Sequence, residues 1–223
     1  DLYQSYFKRV HEHIPAKPKL PNYKIYYDSL YFDFINHNIN DYQNVLDIGC
    51  GDGTKLIDFK NIGKEVTGVE VSDICRKIHA EFGINSIKGT VDDIDNKKKY
   101  DLVILSNVFE HLSNLKQKIE KISTLTNKYL YIEVPVHVKR LQIIQNAHNY
   151  FFSKNTLNFF ILNSNFDLID LKYSNVGKPG EYLLALYKKR ETQSKFEFNF
   201  VSEVKTIKYL YFKFYLKQLL KKL

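Results

Sequence analysis

Three closely spaced glycines follow a short apolar run in the first quarter of the chain. Val45–Ile48 is typical of a buried strand, and Gly49, Gly51 and Gly53 come directly after it. Glycine lets a chain turn tightly and lets backbone N–H groups approach a ligand without an intervening Cβ. Ligands of open α/β sheets bind beyond the carboxyl ends of the strands. The pattern therefore predicts a ligand-binding turn.

The spacing of these glycines bears on the identity of the ligand. A dinucleotide-binding turn has the pattern G-x-G-x-x-G and would need a glycine at position 54. That position is Thr54, and the third glycine comes one residue early. Glu70 ends the next apolar run, where a carboxylate can accept hydrogen bonds from ribose hydroxyls. Glu70 alone discriminates weakly, because dinucleotide enzymes share it.

Two histidines lie in connections that follow apolar runs, where a proton acceptor would be useful. His111 follows the run around Leu102–Leu105, and His148 lies in the segment QNAHNYFFSKNT, residues 145–156. Histidine is the usual general base near neutral pH. Each also has a structural interpretation: His111 could cap or pack at a helix start, and His148 could bond to backbone. His137 is a weaker third candidate.

Short β-branched runs alternate with longer amphipathic segments from residue 43 onward, which indicates strand–helix–strand units. We predict an α/β, Rossmann-like, doubly wound sheet of seven mostly parallel strands, one of them antiparallel, with helices on both faces. The predicted strands are Val45–Ile48, Glu65–Val71, Ile84–Lys88, Leu102–Leu105, Tyr129–Val134, Phe166–Tyr173 and Tyr182–Tyr187, with helices at Thr54–Phe59, Asp73–Phe82 and Ser113–Thr126.

The predicted organisation has three parts. Residues 1–40 would form an N-terminal helical cap, residues 41–190 the main domain, and residues 191–223 a basic amphipathic extension. The tyrosine-rich residues 20–40 either cover the ligand as a lid or pack on the sheet edge.

Four segments in order resemble the class I S-adenosylmethionine-dependent methyltransferases: Val45–Gly53, the stretch ending at Glu70, Gly89–Ile94 and Tyr100–Leu112. Together they span residues 43–136. The resemblance implies S-adenosylmethionine as cofactor, with S-adenosylhomocysteine as product. It implies cofactor contacts at Asp47, Gly49, Cys50, Gly51, Gly53, Glu70, Val71, Val91, Asp92, Ser106 and Asn107. Thr90 stands where many relatives have Asp, so either Asp92 or Asp93 could meet the adenine, or both could cap a helix.

The pattern His-x-x-Phe-Phe-Ser at His148 resembles small-molecule methyltransferases of surface-sugar and quinone pathways. It implies in-line methyl transfer to a hydroxyl of a sugar, a sugar nucleotide or a capsular polysaccharide precursor, with a histidine base. The alternatives are an RNA methyltransferase and a non-catalytic regulatory subunit. We expect no metal, because Asp101 is a strand length from Glu110, and no DNA substrate, because the Asp/Asn-Pro-Pro-Tyr signature is absent.

Charge and cysteine content bear on partners and compartment. The net charge is +8, and residues 188–223 carry ten Lys or Arg against three Glu, so the basic character lies in the tail. The amphipathic residues 202–223 could dimerise, dock on the domain or lie on a membrane surface. Cys50 and Cys75 suggest neither a disulfide framework nor a structural zinc. With no apolar leader at the start, we expect a cytoplasmic protein.

Overall fold

A seven-stranded sheet forms the centre of the protein. The computed structural model describes residues 31–136, 148–174 and 181–192. The strands are β1 (Asn44–Ile48), β2 (Glu65–Glu70), β3 (Asn85–Lys88), β4 (Tyr100–Ser106), β5 (Thr126–Val136), β6 (Phe166–Ser174) and β7 (Glu181–Lys189). Their order in the sheet is β3-β2-β1-β4-β5-β7-β6.

One strand, β7, runs antiparallel to both of its neighbours, β5 and β6, and the other strand pairs are parallel. The predicted fold class is therefore confirmed. Strand ends differ from the predicted bounds by three residues or fewer, and β5 extends furthest beyond its predicted length.

Helices connect the strands and cover the sheet. Residues 31–38 form the described part of α1. The others are α2 (Thr54–Asn61), α3 (Asp73–Glu81), α4 (Leu115–Leu125) and α5 (Lys154–Leu162), with short 3-10 turns at Val91–Asp93 and Phe109–His111. Ser72 and Ser153 cap α3 and α5, since each side chain accepts a backbone N–H of the first turn.

The core lies on both faces of the sheet because successive strand side chains point to opposite faces. Along β4, Leu102 and Ile104 join one buried cluster, and Val103 and Leu105 join the other. The first cluster packs against α1 and α2, and the second against α4 and α5. The loops after β1, β2, β4 and β5 are thereby held at one edge of a rigid sheet.

The described part of the N-terminal segment packs on a sheet face. The Tyr31 ring lies edge-on to the ring of Tyr131 at 4.8 Å and to that of Phe59 at 5.9 Å. Three predictions fall wholly or partly outside the described residues: the lid of residues 20–40, of which 31–40 are described; His137; and the extension 191–223, of which 191–192 are described. No helix among the described residues is long and apolar enough to cross a membrane.

Candidate active site

The glycine turn after β1 takes backbone conformations that favour glycine. The φ angles of Gly49, Gly51 and Gly53 are 72°, 57° and 78°. A Cβ on Gly49 would lie 2.5 Å from Cγ2 of Val108, whereas a Cβ on Gly51 would meet nothing within 4 Å. The turn is therefore closely packed below and open above Gly51, on the side where a ligand would approach.

Glu70 holds this turn against β2. It is buried, and its Oε2 accepts the Gly51 N–H at 3.0 Å while Oε1 accepts the Ser72 N–H at 2.8 Å. Burial raises the pKa of Glu70, and the two backbone hydrogen bonds offset part of that rise. Val71 follows directly, so both predicted residues lie at the carboxyl end of β2, beside the turn.

His79 supports the turn from below, and sequence reasoning missed it. Its Nε2 lies 2.8 Å from the Gly51 carbonyl oxygen, which can only accept, so Nε2 carries the proton. Nδ1 then accepts from the Ser86 hydroxyl at 2.9 Å. Burial lowers the pKa of His79 and favours this neutral form. A single histidine on an amphipathic helix carries no sequence signal for such a role.

Asp47 and Cys50 lie beside the glycines and are both buried. Burial, followed by the charge of Asp47, raises the pKa of the Cys50 thiol well above its ordinary value. Burial and the Asp47 charge likewise raise the pKa of Tyr131. The Asp47 carboxylate thus lies close enough to the turn and to the sheet face below it to influence both Cys50 and Tyr131.

The loop after β3 separates the two candidate adenine-binding carboxylates. Thr90 and Asp93 form a capping box in which Oδ2 of Asp93 accepts the Thr90 N–H at 2.8 Å. These hydrogen bonds lower the pKa of Asp93. Asp92 is exposed and pairs with Lys118, and Val91 is buried. Asp93 therefore has the capping role that the sequence left open for both carboxylates.

Replacing Asp92 and Asp93 separately with alanine tests which carboxylate caps the turn and which is free to bind the adenine. We expect Asp93→Ala to lower the midpoint of thermal unfolding, because the capping box loses its acceptor, while affinity for S-adenosylhomocysteine changes little. We expect Asp92→Ala to weaken that affinity and leave the midpoint close to wild type. Calorimetric titration and a thermal melt on both variants measure the two effects. The opposite pattern would assign adenine recognition to Asp93.

A polar cluster around buried Glu133 lies at the carboxyl end of β4. Ser106 Oγ donates to Glu133 Oε2 at 2.7 Å, and the Lys55 ammonium donates to Ser106 Oγ and lies 3.7 Å from Glu133 Oε2. Asn107, with φ 56°, donates its N–H to the Glu133 carbonyl at 2.9 Å. Ser106 and Asn107 were predicted; Lys55 and Glu133 were missed. The available signal was an acidic residue within the apolar run of β5.

The structure brings the two predicted histidines together. The rings of His111 and His148 lie edge to face, 4.7 Å apart. Glu110 is buried beside them, with Oε1 3.9 Å from His111 Nε2, and burial raises the pKa of Glu110 to about 7. Burial, then the charge of His111, lowers the pKa of His148. Neutral His148 is thus favoured at pH 7.

Backbone hydrogen bonds fix this histidine pair. The carbonyl of Glu110 accepts the N–H groups of Asn149 and Tyr150 at 2.9 and 3.1 Å. The Asn149 side-chain amide donates to the His111 carbonyl at 2.8 Å. The segments that carry His111 and His148, 38 residues apart in the chain, are therefore hydrogen-bonded to each other next to the two histidines.

Glu110, His111 and His148 could also hold a metal ion, since one ligand atom from each lies within 4.8 Å of the others. The sequence-based expectation of no metal rested on the separation of Asp101 from Glu110 and did not consider the two histidines. Asp101 lies at the start of β4 and accepts from the Gln43 N–H and the Asn127 amide, both at 2.9 Å. It is remote from this group, and the expectation of no metal stays a prediction.

A family model described as a methyltransferase domain matches residues 10–171. This chain belongs to the methyltransferase-domain family. The resemblance to class I S-adenosylmethionine-dependent methyltransferases is thereby confirmed for family and fold. The family match covers the glycine turn, Glu70 and both histidines.

Two curated relatives of this methyltransferase-domain protein carry the name ubiquinone biosynthesis O-methyltransferase. The one from Bradyrhizobium sp. (strain ORS 278) is 35% identical over 77 residues, which are 32% of this chain and 30% of the relative. The one from Rickettsia prowazekii (strain Madrid E) is 33% identical over 93 residues, which are 38% of this chain and 37% of the relative. The matches thus span about a third of each relative.

Solved structures share the fold of this methyltransferase-domain protein. The N-methyltransferase NodS from Bradyrhizobium japonicum WM9, in complex with S-adenosylhomocysteine, has a TM-score of 0.68 and 12% identity, covering 86% of this chain and all of that one. Magnesium protoporphyrin IX methyltransferase from Synechocystis PCC 6803 has a TM-score of 0.62 and 14% identity, covering 84% and 98%. At these identities the likeness concerns the fold.

Proposed function

We propose that this protein is an S-adenosylmethionine-dependent methyltransferase that methylates a hydroxyl group of a small molecule. One observation carries the proposal: the glycine turn, fixed by buried Glu70, opens at the same sheet edge as the paired His111 and His148. The turn fits the cofactor, because the space above Gly51 is clear and a carboxylate stands beside it. The family membership and the O-methyltransferase relatives support it.

The chemistry divides between the cofactor and the chain. When bound, S-adenosylmethionine supplies a methyl group that leaves sulfur for the acceptor oxygen in one in-line displacement, giving S-adenosylhomocysteine. The glycine turn and the end of β4 would hold the cofactor against a rigid sheet. Positioning of reactants can account for much of such a rate, since effective molarities of roughly 10⁵ M or more are known.

His148 is the proposed proton acceptor. Its lowered pKa keeps the imidazole neutral at pH 7, so it can take the hydroxyl proton as the oxygen attacks. His111, whose ring faces His148, is the second candidate in this role. Glu110 is positioned to stabilise the positive charge that forms on either ring.

The pH dependence of turnover follows from this assignment. Protonation inactivates the base as pH falls, and the pKa of His148 lies below its ordinary value of 6.5. We therefore expect kcat/KM to be level from pH 7 to 8 and to fall only below about pH 6.5. Glu110 titrates nearby, so the profile is repeated in Glu110→Gln. An acid limb centred above pH 7 in both proteins would contradict a neutral His148.

The acceptor class has two supports. The relatives' name points to a hydroxyl of a quinone precursor, and their names give no support to the sugar or polysaccharide acceptor that the His148 segment suggested. Phe151 is 45% exposed and its ring lies 6.3 Å from that of His148, which provides an aromatic surface beside the base. An aromatic acceptor could stack there. We therefore place aromatic hydroxyls ahead of sugars.

A turnover screen tests this function. The full chain is incubated with S-adenosylmethionine and either hydroxylated aromatic quinone precursors, nucleotide sugars or RNA, and S-adenosylhomocysteine formation is followed. Turnover on an aromatic hydroxyl supports the proposal, and turnover on a nucleotide sugar restores the sugar acceptor. Salt-sensitive turnover on RNA alone would overturn it. Activity that survives a chelator is expected, whereas loss that zinc restores would make the histidine pair a metal site.

A further inference from the structure

A groove on the protein surface lies between helices α4 and α5, and the proposed reaction does not use it. This α4–α5 groove has a volume of about 470 Å³ and is lined in part by Ile119, Phe159 and Phe160. Ile119 is buried, but the described residues leave both phenylalanines partly exposed, with their rings 5.5 Å apart. Adjacent exposed aromatic rings provide a surface at which an apolar partner gains by binding.

The described part of the chain ends next to this groove. Strand β7 runs antiparallel to β6, so its last residue, Lys189, lies beside the start of β6. The Lys189 ammonium donates to the Ser123 carbonyl at 2.5 Å, and the Arg190 N–H donates to the Asn165 carbonyl at 2.7 Å. Ser123 and Asn165 both line the α4–α5 groove. Residues 193–223 therefore follow from one end of the groove.

The sequence that follows alternates aromatic and polar side chains. Residues 196–200 are F-E-F-N-F, a pattern typical of a strand with one apolar face. In an extended chain the three phenylalanines lie on one side and span about 13 Å. The groove follows α4 from Thr124 to Lys116, about 12 Å along the helix axis. Four extended residues reach at most about 14 Å, so Phe196 can enter the groove from residue 192.

The charges along the groove match those of this segment in order and spacing. Glu120 and Lys116 are exposed on α4, one turn or about 6 Å apart, and α4 runs towards the end where the segment begins. A segment entering there passes Glu120 first and Lys116 second. Lys195 and Glu197 come in the complementary order, about 7 Å apart when extended. Exposed ion pairs contribute little stability, so these charges would set the direction of the segment.

We propose that residues 196–200 of this same chain dock in the α4–α5 groove, with their three phenylalanines against Phe159 and Phe160. Burial of even one phenylalanine side chain favours a docked state by roughly tenfold or more. The basic residues that follow would thereby be tethered to the surface of the methyltransferase domain, whether or not they also meet another partner.

Cross-linking within the full chain tests this docking. Lys116→Cys and Asn199→Cys place one thiol at the far end of the groove and one on the polar side of the segment, and a short bismaleimide joins them. The native Cys50 and Cys75 are buried and compete little. The cysteine pair is then combined with Phe196→Ser, Phe198→Ser and Phe200→Ser together. The matched control combines it with Tyr211→Ser, Phe212→Ser and Phe214→Ser, three aromatic residues outside the segment.

We expect rapid cross-linking within one chain, at a rate that does not depend on protein concentration. The three serines at 196, 198 and 200 should slow it by roughly tenfold or more, because the docked state loses its apolar contacts. The control substitutions should leave the rate close to that of the cysteine pair alone. Phe159→Ala, on the groove side, should also slow the reaction, and circular dichroism shows that each variant is folded.

Three results would overturn the proposal. An unchanged rate in the serine variant would mean that the two thiols meet only by diffusion of a free segment. An equal decrease in the control would mean that the whole extension makes unspecific apolar contacts. Cross-links that form only between chains, and increase with concentration, would assign the groove to a second copy. No cofactor is needed in these measurements, so their outcome is independent of the proposed function.

Discussion

Gly51→Val is expected to weaken S-adenosylhomocysteine binding by at least roughly 100-fold. The φ of Gly51 is 57°, a conformation that costs an L-residue about 1–2 kcal/mol. An added Cβ would meet no protein atom within 4 Å, so the valine methyls would occupy the space above the turn, where the ligand approaches. Calorimetric titration of the variant measures the loss.

Gly63→Val provides a matched control. Gly63 has a φ of 79°, and its added Cβ also meets nothing within 4 Å, but it lies beyond the end of α2, away from the ligand edge. Both variants carry similar backbone strain, so a difference in affinity reports contact with the ligand. Equal affinity of the two variants would mean that the turn binds no cofactor.

His148→Ala is expected to lower kcat by roughly 10²- to 10⁴-fold, the usual contribution of a positioned base. Binding of S-adenosylhomocysteine should be retained, because His148 lies in the loop after β5, whereas the proposed cofactor contacts lie at or after the ends of β1, β2, β3 and β4. His111→Ala should have a smaller effect, since His111 faces His148 and is the second candidate base.

The exposed His37 on α1 is the control for the histidine substitutions, and His37→Ala should leave turnover unchanged. Initial rates with the acceptor found in the screen give kcat and KM for all three variants. Full activity in both His148→Ala and His111→Ala would exclude both residues as the base and would leave only positioning by the sheet edge.

Local patterns in the sequence predicted the frame of this protein. Alternating apolar residues and glycine-rich turns predicted the seven strands, their connections and the presence of one antiparallel strand, because these depend on short-range periodicity and turn chemistry. The start of α4 was placed early: the sequence indicated Ser113, and the helix begins at Leu115, after Asn114 in the left-handed conformation. Such ends depend on single dihedral angles that a periodic pattern does not encode.

The support around the site depended on long-range pairing and was missed. Lys55 and Glu133 contact Ser106 and each other, and His79 contacts Gly51, across 27 to 78 residues of chain, brought close by sheet register and helix docking. His111 and His148 were each predicted as a candidate base, but the contact between their rings was not predicted. The sequence also did not distinguish the two neighbouring phenylalanines: Phe152 is buried, whereas Phe151 is 45% exposed.

The most direct test of the central claim is a calorimetric titration of the wild-type full chain with S-adenosylhomocysteine. The claim that Gly49–Gly53 and Glu70 form a cofactor site predicts saturable binding with one ligand per chain, lost in Gly51→Val and kept in Gly63→Val. No detectable binding by the wild type, under conditions where a thermal melt shows it folded, would contradict the claim.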